Sequence, residues 1–88
     1  MKTDSRLNIY GTETGERAYY GIVTEADRFR IYELSGNYTG YGVFNGSTEF
    51  SIYDEAGSRI YYGIMSGQNE FNIYSLDSKR IFYGSFEN

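Results

Sequence analysis

The chain has 88 residues, a formal charge of −4, 11 tyrosines and 11 glycines, and no proline, cysteine or histidine. That length supports one small domain, spanning residues 1–88, with no disulfide staple and without the commonest metal ligand and general base. The eight basic residues stand apart except for Lys79-Arg80, so the basic stripe that nucleic acid or an anionic membrane needs is missing, and no apolar run reaches membrane-spanning length.

The opening Met1-Lys2-Thr3-Asp4-Ser5 lacks the apolar stretch of a secretory signal, so the chain reads as cytoplasmic or as one whose signal has been removed. A repeat then begins. Leu7-Asn8-Ile9-Tyr10 leads through the polar segment 11–17 to Tyr20-Gly21. Phe29-Arg30-Ile31-Tyr32 leads through 33–38 to Tyr41-Gly42, and Phe50-Ser51-Ile52-Tyr53 through 54–59 to Tyr62-Gly63. Phe71-Asn72-Ile73-Tyr74 leads through 75–80 to Tyr83-Gly84. The closing glycines are 21 residues apart, and the first turn carries one extra residue. The units run over about 6–27, 28–48, 49–69 and 70–88. A repeat this short is one supersecondary unit that needs its neighbours to bury a core.

Each unit reads as a β-hairpin. The strand segments are rich in Tyr, Phe and Ile, and the connections are polar. Four units give eight antiparallel strands in a meander. A lone open meander would leave the first strand (7–10) and the last (81–86) as free edges. The terminal repeats are no more polar than the middle ones, so they do not look like caps. The expected fold is therefore all-β, strongly curled or closed like a barrel, with an open, oligomeric hairpin solenoid as the alternative.

Alternation along the strands predicts two faces. One collects Leu7, Ile9, Phe29, Ile31, Phe50, Ile52, Phe71 and Ile73, together with Ala18, Tyr20, Ile22, Tyr41, Val43, Ile60, Tyr62, Ile64, Ile81 and Tyr83, and reads as the core. The other carries the row Tyr10, Tyr32, Tyr53 and Tyr74 with Tyr19, Tyr61, Phe82, Phe44, Met65 and Phe86, and also the repeat glycines. A strand glycine marks a bulge, a kink or a close approach. Here it is expected either to let a tyrosine ring lie over the backbone or to curl the sheet.

The acidic residues fall in turns or at strand ends, and no nucleophile–base pair, phosphate loop or calcium loop is visible. The chain is read as a non-enzyme without metal or cofactor. The second face, Tyr10, Tyr19, Tyr32, Tyr53, Tyr61, Tyr74 and Phe82, is the candidate binding platform for a glycan or a protein. The same face could instead be buried in self-association or simply pack on itself. A third, remote possibility is a small carboxylate-dependent hydrolase. Arg17, Arg59 and Arg80 recur before the second strand, with Tyr38 at that place in repeat two. They are expected to cap turns or to pair with Glu16, Asp54 and Asp77.

Tyr53-Asp54-Glu55-Ala56-Gly57-Ser58-Arg59-Ile60 resembles the Y-D-x-x-G-R core of Rhs-type YD repeats, with one residue inserted before the arginine. The Ile-Tyr-Asp spacing to the following glycines is similar to short fan-like hairpin repeats of bacterial proteins. The aromatic hairpin layout resembles, more distantly, the choline-binding repeats of cell-wall proteins, which build their cages from tryptophan; this chain has none. These resemblances imply a tandem hairpin architecture and leave the ligand open.

Overall fold

A computed structural model describes residues 2–87. The strands are β1 (Arg6–Gly11), β2 (Arg17–Glu25), β3 (Arg28–Glu33), β4 (Tyr38–Phe44), β5 (Glu49–Asp54), β6 (Arg59–Met65), β7 (Glu70–Ser75) and β8 (Arg80–Phe86). Each pairs antiparallel with its sequence neighbours, and β8 returns to β1 with Leu7 opposite Phe86 and Ile9 opposite Gly84. The eight strands form a closed barrel. Closure takes the place of the open solenoid, because the two edges that would have needed a second chain satisfy each other.

The hairpin tips follow from local chemistry. Gly15, Gly36 and Gly57 sit at equivalent tip positions with φ of 70°, 101° and 91°, which glycine adopts without steric cost. In the fourth hairpin Ser78 takes that place with φ 70°. In the third, the Asp54 carboxylate accepts hydrogen bonds from the Ala56 and Ser58 amides at 3.0 and 2.9 Å, which closes an Asx turn.

The register within each hairpin differs from simple alternation. Ile52 faces Tyr61 while Tyr53 faces Arg59, so Ile60 is an extra residue on β6. The same shift recurs in the other hairpins and makes Ala18, Thr39 and Ile81 the extra residues. Without this bulge Ile52 would face Ile60, which is the arrangement alternation alone suggests. The bulge advances the second strand by one residue and exchanges its two faces. Tyr20, Tyr41, Tyr62 and Tyr83 therefore point outward rather than into the core. Ile64, also expected inside, is 37% exposed. The inward side of the second strands carries Tyr19, Gly21 and Val23, and their equivalents in the later repeats.

The first strands behave as expected. Leu7, Phe29, Phe50 and Phe71 form one buried layer, and Ile9, Ile31, Ile52 and Ile73 another. Each member of the first layer lies opposite a repeat glycine, as Phe50 does opposite Gly63. A Cβ on Gly63 would fall 2.1 Å from the Phe50 ring, and one on Gly42 would fall 2.1 Å from the Phe29 ring. Gly42, Gly63 and Gly84 are thus seats for phenylalanine rings inside the barrel, and Gly21 for Leu7, not for tyrosines on its outside. Phe29, Phe50 and Phe71 meet edge-to-face at 5.4 and 5.5 Å, and Phe44 and Phe86 complete the cluster.

Candidate binding surface

The bulge assembles an outer belt of tyrosines that alternation alone would divide between two faces. Tyr20 stacks on Tyr32 at 5.3 Å, Tyr41 on Tyr53 at 5.1 Å, Tyr62 on Tyr74 at 5.2 Å and Tyr83 on Tyr10 at 5.5 Å. The ring planes of all four pairs lie within 18° of parallel. Every pair joins the second strand of one hairpin to the first strand of the next, so the belt staples neighbouring repeats. All eight rings are half-buried. Each second-strand tyrosine also reaches over a neighbouring hairpin tip, and Tyr62 donates its hydroxyl proton to Ser78 Oγ at 2.9 Å.

The seven residues of the candidate platform do not share a face. Tyr10, Tyr32, Tyr53 and Tyr74 are in the outer belt, as expected. Tyr19, Tyr61 and Phe82 point inward and gather at the hairpin-tip mouth of the barrel. There Phe82 meets Tyr19 and Tyr61 edge-to-face at 5.7 and 5.8 Å. The physical reason is again the single extra residue per hairpin.

The recurrent arginines also differ from expectation. Arg17, Arg59 and Arg80 lie with their guanidinium carbons 5.8, 5.8 and 5.5 Å from the ring centres of Tyr20, Tyr62 and Tyr83. They cover tyrosine faces as cation–π partners instead of pairing with Glu16, Asp54 or Asp77. Arg59 further donates from Nε to Ser51 Oγ at 3.1 Å, an oxygen that also accepts from Asn45 at 3.3 Å. Arg28 and Glu25, 3.8 Å apart, form the ion pair among the described residues.

Repeat two breaks this pattern. Tyr38 stands where the covering arginine would be, and the guanidinium carbon of Arg30 sits 5.6 Å from the Tyr38 ring centre. Among the described residues no guanidinium lies over Tyr41, the one second-strand tyrosine left without that cover. Beside it runs a groove of about 280 Å³ bordered by Thr24, Glu25, Arg28, Arg30, Tyr38 and Tyr41. Alternation alone gives no sign of this groove, because it places Tyr41 in the core. The legible signal is the substitution of Tyr38 for the repeat arginine.

The two mouths of the barrel also differ. At the end where the repeats connect, a shallow polar basin of about 460 Å³ is bordered by Lys2, Asp27, Gln68 and Asn69. At the hairpin-tip end there is a smaller cavity of about 140 Å³ with the four core isoleucines as its floor. Burial, and secondarily the Tyr19 phenol, push the Tyr61 hydroxyl above its ordinary pKa. At the fourth hairpin tip the Ser75 hydroxyl bonds the exposed Asp77 carboxylate and holds its pKa below the usual value. Among the described residues no group of three acidic side chains is placed to hold a metal ion. Among the described residues no helix is long and apolar enough to cross a membrane.

No family model, curated protein or solved structure matches this chain.

Proposed function

We propose that the protein is a non-catalytic binding module that takes a glycan in the outer groove between β3 and β4. The observation that carries this reading is the bare face of Tyr41. In the three other repeats the equivalent ring has a tyrosine stacked on it and a guanidinium over it. Tyr41 keeps only the tyrosine, and the groove opens beside it. An aromatic ring with one solvated side stacks on the apolar face of a pyranose, and the hydroxyls of the sugar need directional polar partners. Thr24, Glu25, Arg28 and Arg30 border the same groove. The outward positions mix Arg28, Arg30, Glu49 and Asn72, a surface suited neither to a polyanion nor to lipid.

The test is a saccharide panel titrated against the protein by heteronuclear NMR. Saturable shifts at Tyr38, Tyr41 and Arg30 are the expected result. Tyr38→Arg returns the covering guanidinium to repeat two and should abolish binding with the melting temperature kept. Binding that survives both Tyr38→Arg and Tyr41→Ala would overturn the reading.

A second reading, contact with a protein or another copy of the chain, has its own support. Leu34 and Leu76 at the hairpin tips are each 53% exposed. Closure has removed the edge-strand reason for self-association, since every strand is paired on both sides. Light scattering across a concentration series separates the two readings. A single mass near 10.1 kDa favours the glycan module, and a discrete dimer favours assembly.

A further inference from the structure

The hairpin-tip mouth of the barrel is a second concave site, separate from the outer groove. Four inward positions ring it, one per hairpin: Tyr19 on β2, residue 40 on β4, Tyr61 on β6 and Phe82 on β8. Three carry aromatic rings, and the fourth is Gly40. The ring missing at Gly40 lies across the barrel from Phe82, between the two tyrosines. Beneath this incomplete ring lie Ile9, Ile31, Ile52 and Ile73, each no more than 5% exposed.

The gap is fixed by the backbone rather than by a rotamer. A Cβ on residue 40 would fall 2.1 Å from the carbonyl oxygen of Tyr53 and 3.2 Å from Asp54 Cα, so β4 and β5 approach too closely there for any side chain. The cavity at this mouth measures about 140 Å³, and Thr39 and Tyr53, which neighbour Gly40 in the sheet, are on its lining. An apolar cavity of about 150 Å³ lined by aliphatic and aromatic side chains holds a benzene-sized molecule. Here isoleucines and three aromatic rings make up most of the lining, with Thr39 and Tyr53. Besides Thr39, two polar side chains border the site, Tyr19 and Tyr61 with their hydroxyls. Neither has a hydrogen-bond partner among the described residues, and burial with the mutual proximity of the phenols keeps Tyr61 protonated. Mouths of β-barrels with few convergent polar groups are common ligand sites.

We propose that the hairpin-tip mouth binds one small planar aromatic molecule of the phenol or indole class, its ring seated on the isoleucine floor in the space left by Gly40 and its polar atom at the Tyr19 and Tyr61 hydroxyls. The mostly apolar lining suits such a ring and offers few partners for the hydroxyls of a sugar, so this ligand is distinct from that of the outer groove.

The probe is p-cresol, with benzene as the apolar control, titrated against protein labelled at the isoleucine δ1-methyls. Saturable one-site shifts are expected at Ile9, Ile31, Ile52 and Ile73, with the outer tyrosines unmoved. At about ten times Kd the melting temperature should rise by roughly 5–10 °C. Thr39→Trp puts an indole at the rim beside the gap and should weaken p-cresol binding at least about tenfold. Tyr61→Phe keeps the shape and removes one hydroxyl; it should weaken p-cresol several-fold and leave benzene unchanged. If Thr39→Trp does not fold, the Tyr61→Phe contrast between the two probes decides alone. Non-saturating shifts, shifts centred on the outer groove or the opposite mouth, or equal losses for p-cresol and benzene in Tyr61→Phe would each overturn the proposal. A saccharide that fails to bind the outer groove would leave these outcomes untouched.

Discussion

The two halves of the barrel interior are built from the same repeat, yet one is full and the other is open. Toward the repeat connections, Phe29, Phe44, Phe50, Phe71 and Phe86 interlock with ring centres 5.1–6.2 Å apart. Toward the hairpin tips, three rings surround a space that Gly40 leaves unfilled. The difference lies at the inward position two residues before each repeat glycine, which carries Tyr19, Tyr61 or Phe82 in three repeats and Gly40 in repeat two. At Gly42 and Gly63 a phenylalanine ring occupies the missing side-chain volume. At Gly40 the Tyr53 carbonyl oxygen occupies it, and no ring can be added. A repeated sequence can therefore pack one layer to completion and leave a neighbouring one open, with no change in topology.

Truncations should separate the two halves most sharply. Phe50→Ala removes a ring that is 1% exposed and packs against Phe29, Phe44 and Phe71, and should cost about 3–5 kcal/mol in urea unfolding with the m-value kept. Phe82→Ala, at the open mouth, should cost about half as much, since its ring is only partly buried. Equal costs would mean that the mouth is as tightly packed as the opposite half. Gly63→Ala tests the seat itself. Its methyl must displace the Phe50 ring, and overpacking of this kind costs about 1–3 kcal/mol. Adding Phe50→Leu should recover part of that loss, so the two substitutions should be clearly non-additive.

Smaller effects are expected on the outside and at the rim. Arg59→Ala uncovers Tyr62 and frees Ser51, and should cost about 0.5–1 kcal/mol. The same change at Arg28, which covers no ring, should fall within about 0.5 kcal/mol. Least costly of all should be Tyr61→Phe, again within about 0.5 kcal/mol near neutral pH, because that hydroxyl has no protein partner. Its signature is in alkali. Tyr61 has its pKa raised by burial above the ordinary value of 10.0, so the folded protein holds this proton longer than the unfolded chain does. The stability linked to it is complete below about pH 10 and is lost as pH rises through the raised value. Absorbance titration should show one tyrosine ionising late, and Tyr61→Phe should remove that step.

Much of this was legible beforehand, in particular places. Two free edge strands with no polar caps pointed to closure, and the pairing of Leu7 with Phe86 is that closure. Leu7, Ile9, Phe29 and the other first-strand residues were assigned to the core by alternation and are there. Beyond the bulge residues, of which Ile60 and Ile81 do pack against the core as expected, the second strands were misassigned because one extra residue per hairpin inverts their faces, so that Phe44, Met65 and Phe86, expected on the second face, join the core. The repeat did carry a trace of this. Only the inverted register gives each outer Tyr10-type ring a stacking partner and each repeat glycine a residue of the Leu7, Phe29, Phe50 and Phe71 layer. The departures of repeat two, Tyr38 for arginine and Gly40 for an aromatic, were also present in the sequence. Their meaning depended on knowing which side of the sheet they occupy.

By itself, then, the sequence determined the number of hairpins, the positions of their turns, the layers of the first strands and the meander order. These follow from local rules: turn chemistry, strand propensity and a period of 21 residues. Only the tertiary structure decided which face of each second strand points inward, where the arginines lie, and that the hairpin-tip mouth has three aromatic rings and a gap at Gly40. Those outcomes depend on a bulge, and its register is chosen by the fit of phenylalanine rings against glycines in other strands, a balance of packing across the barrel that no single segment contains.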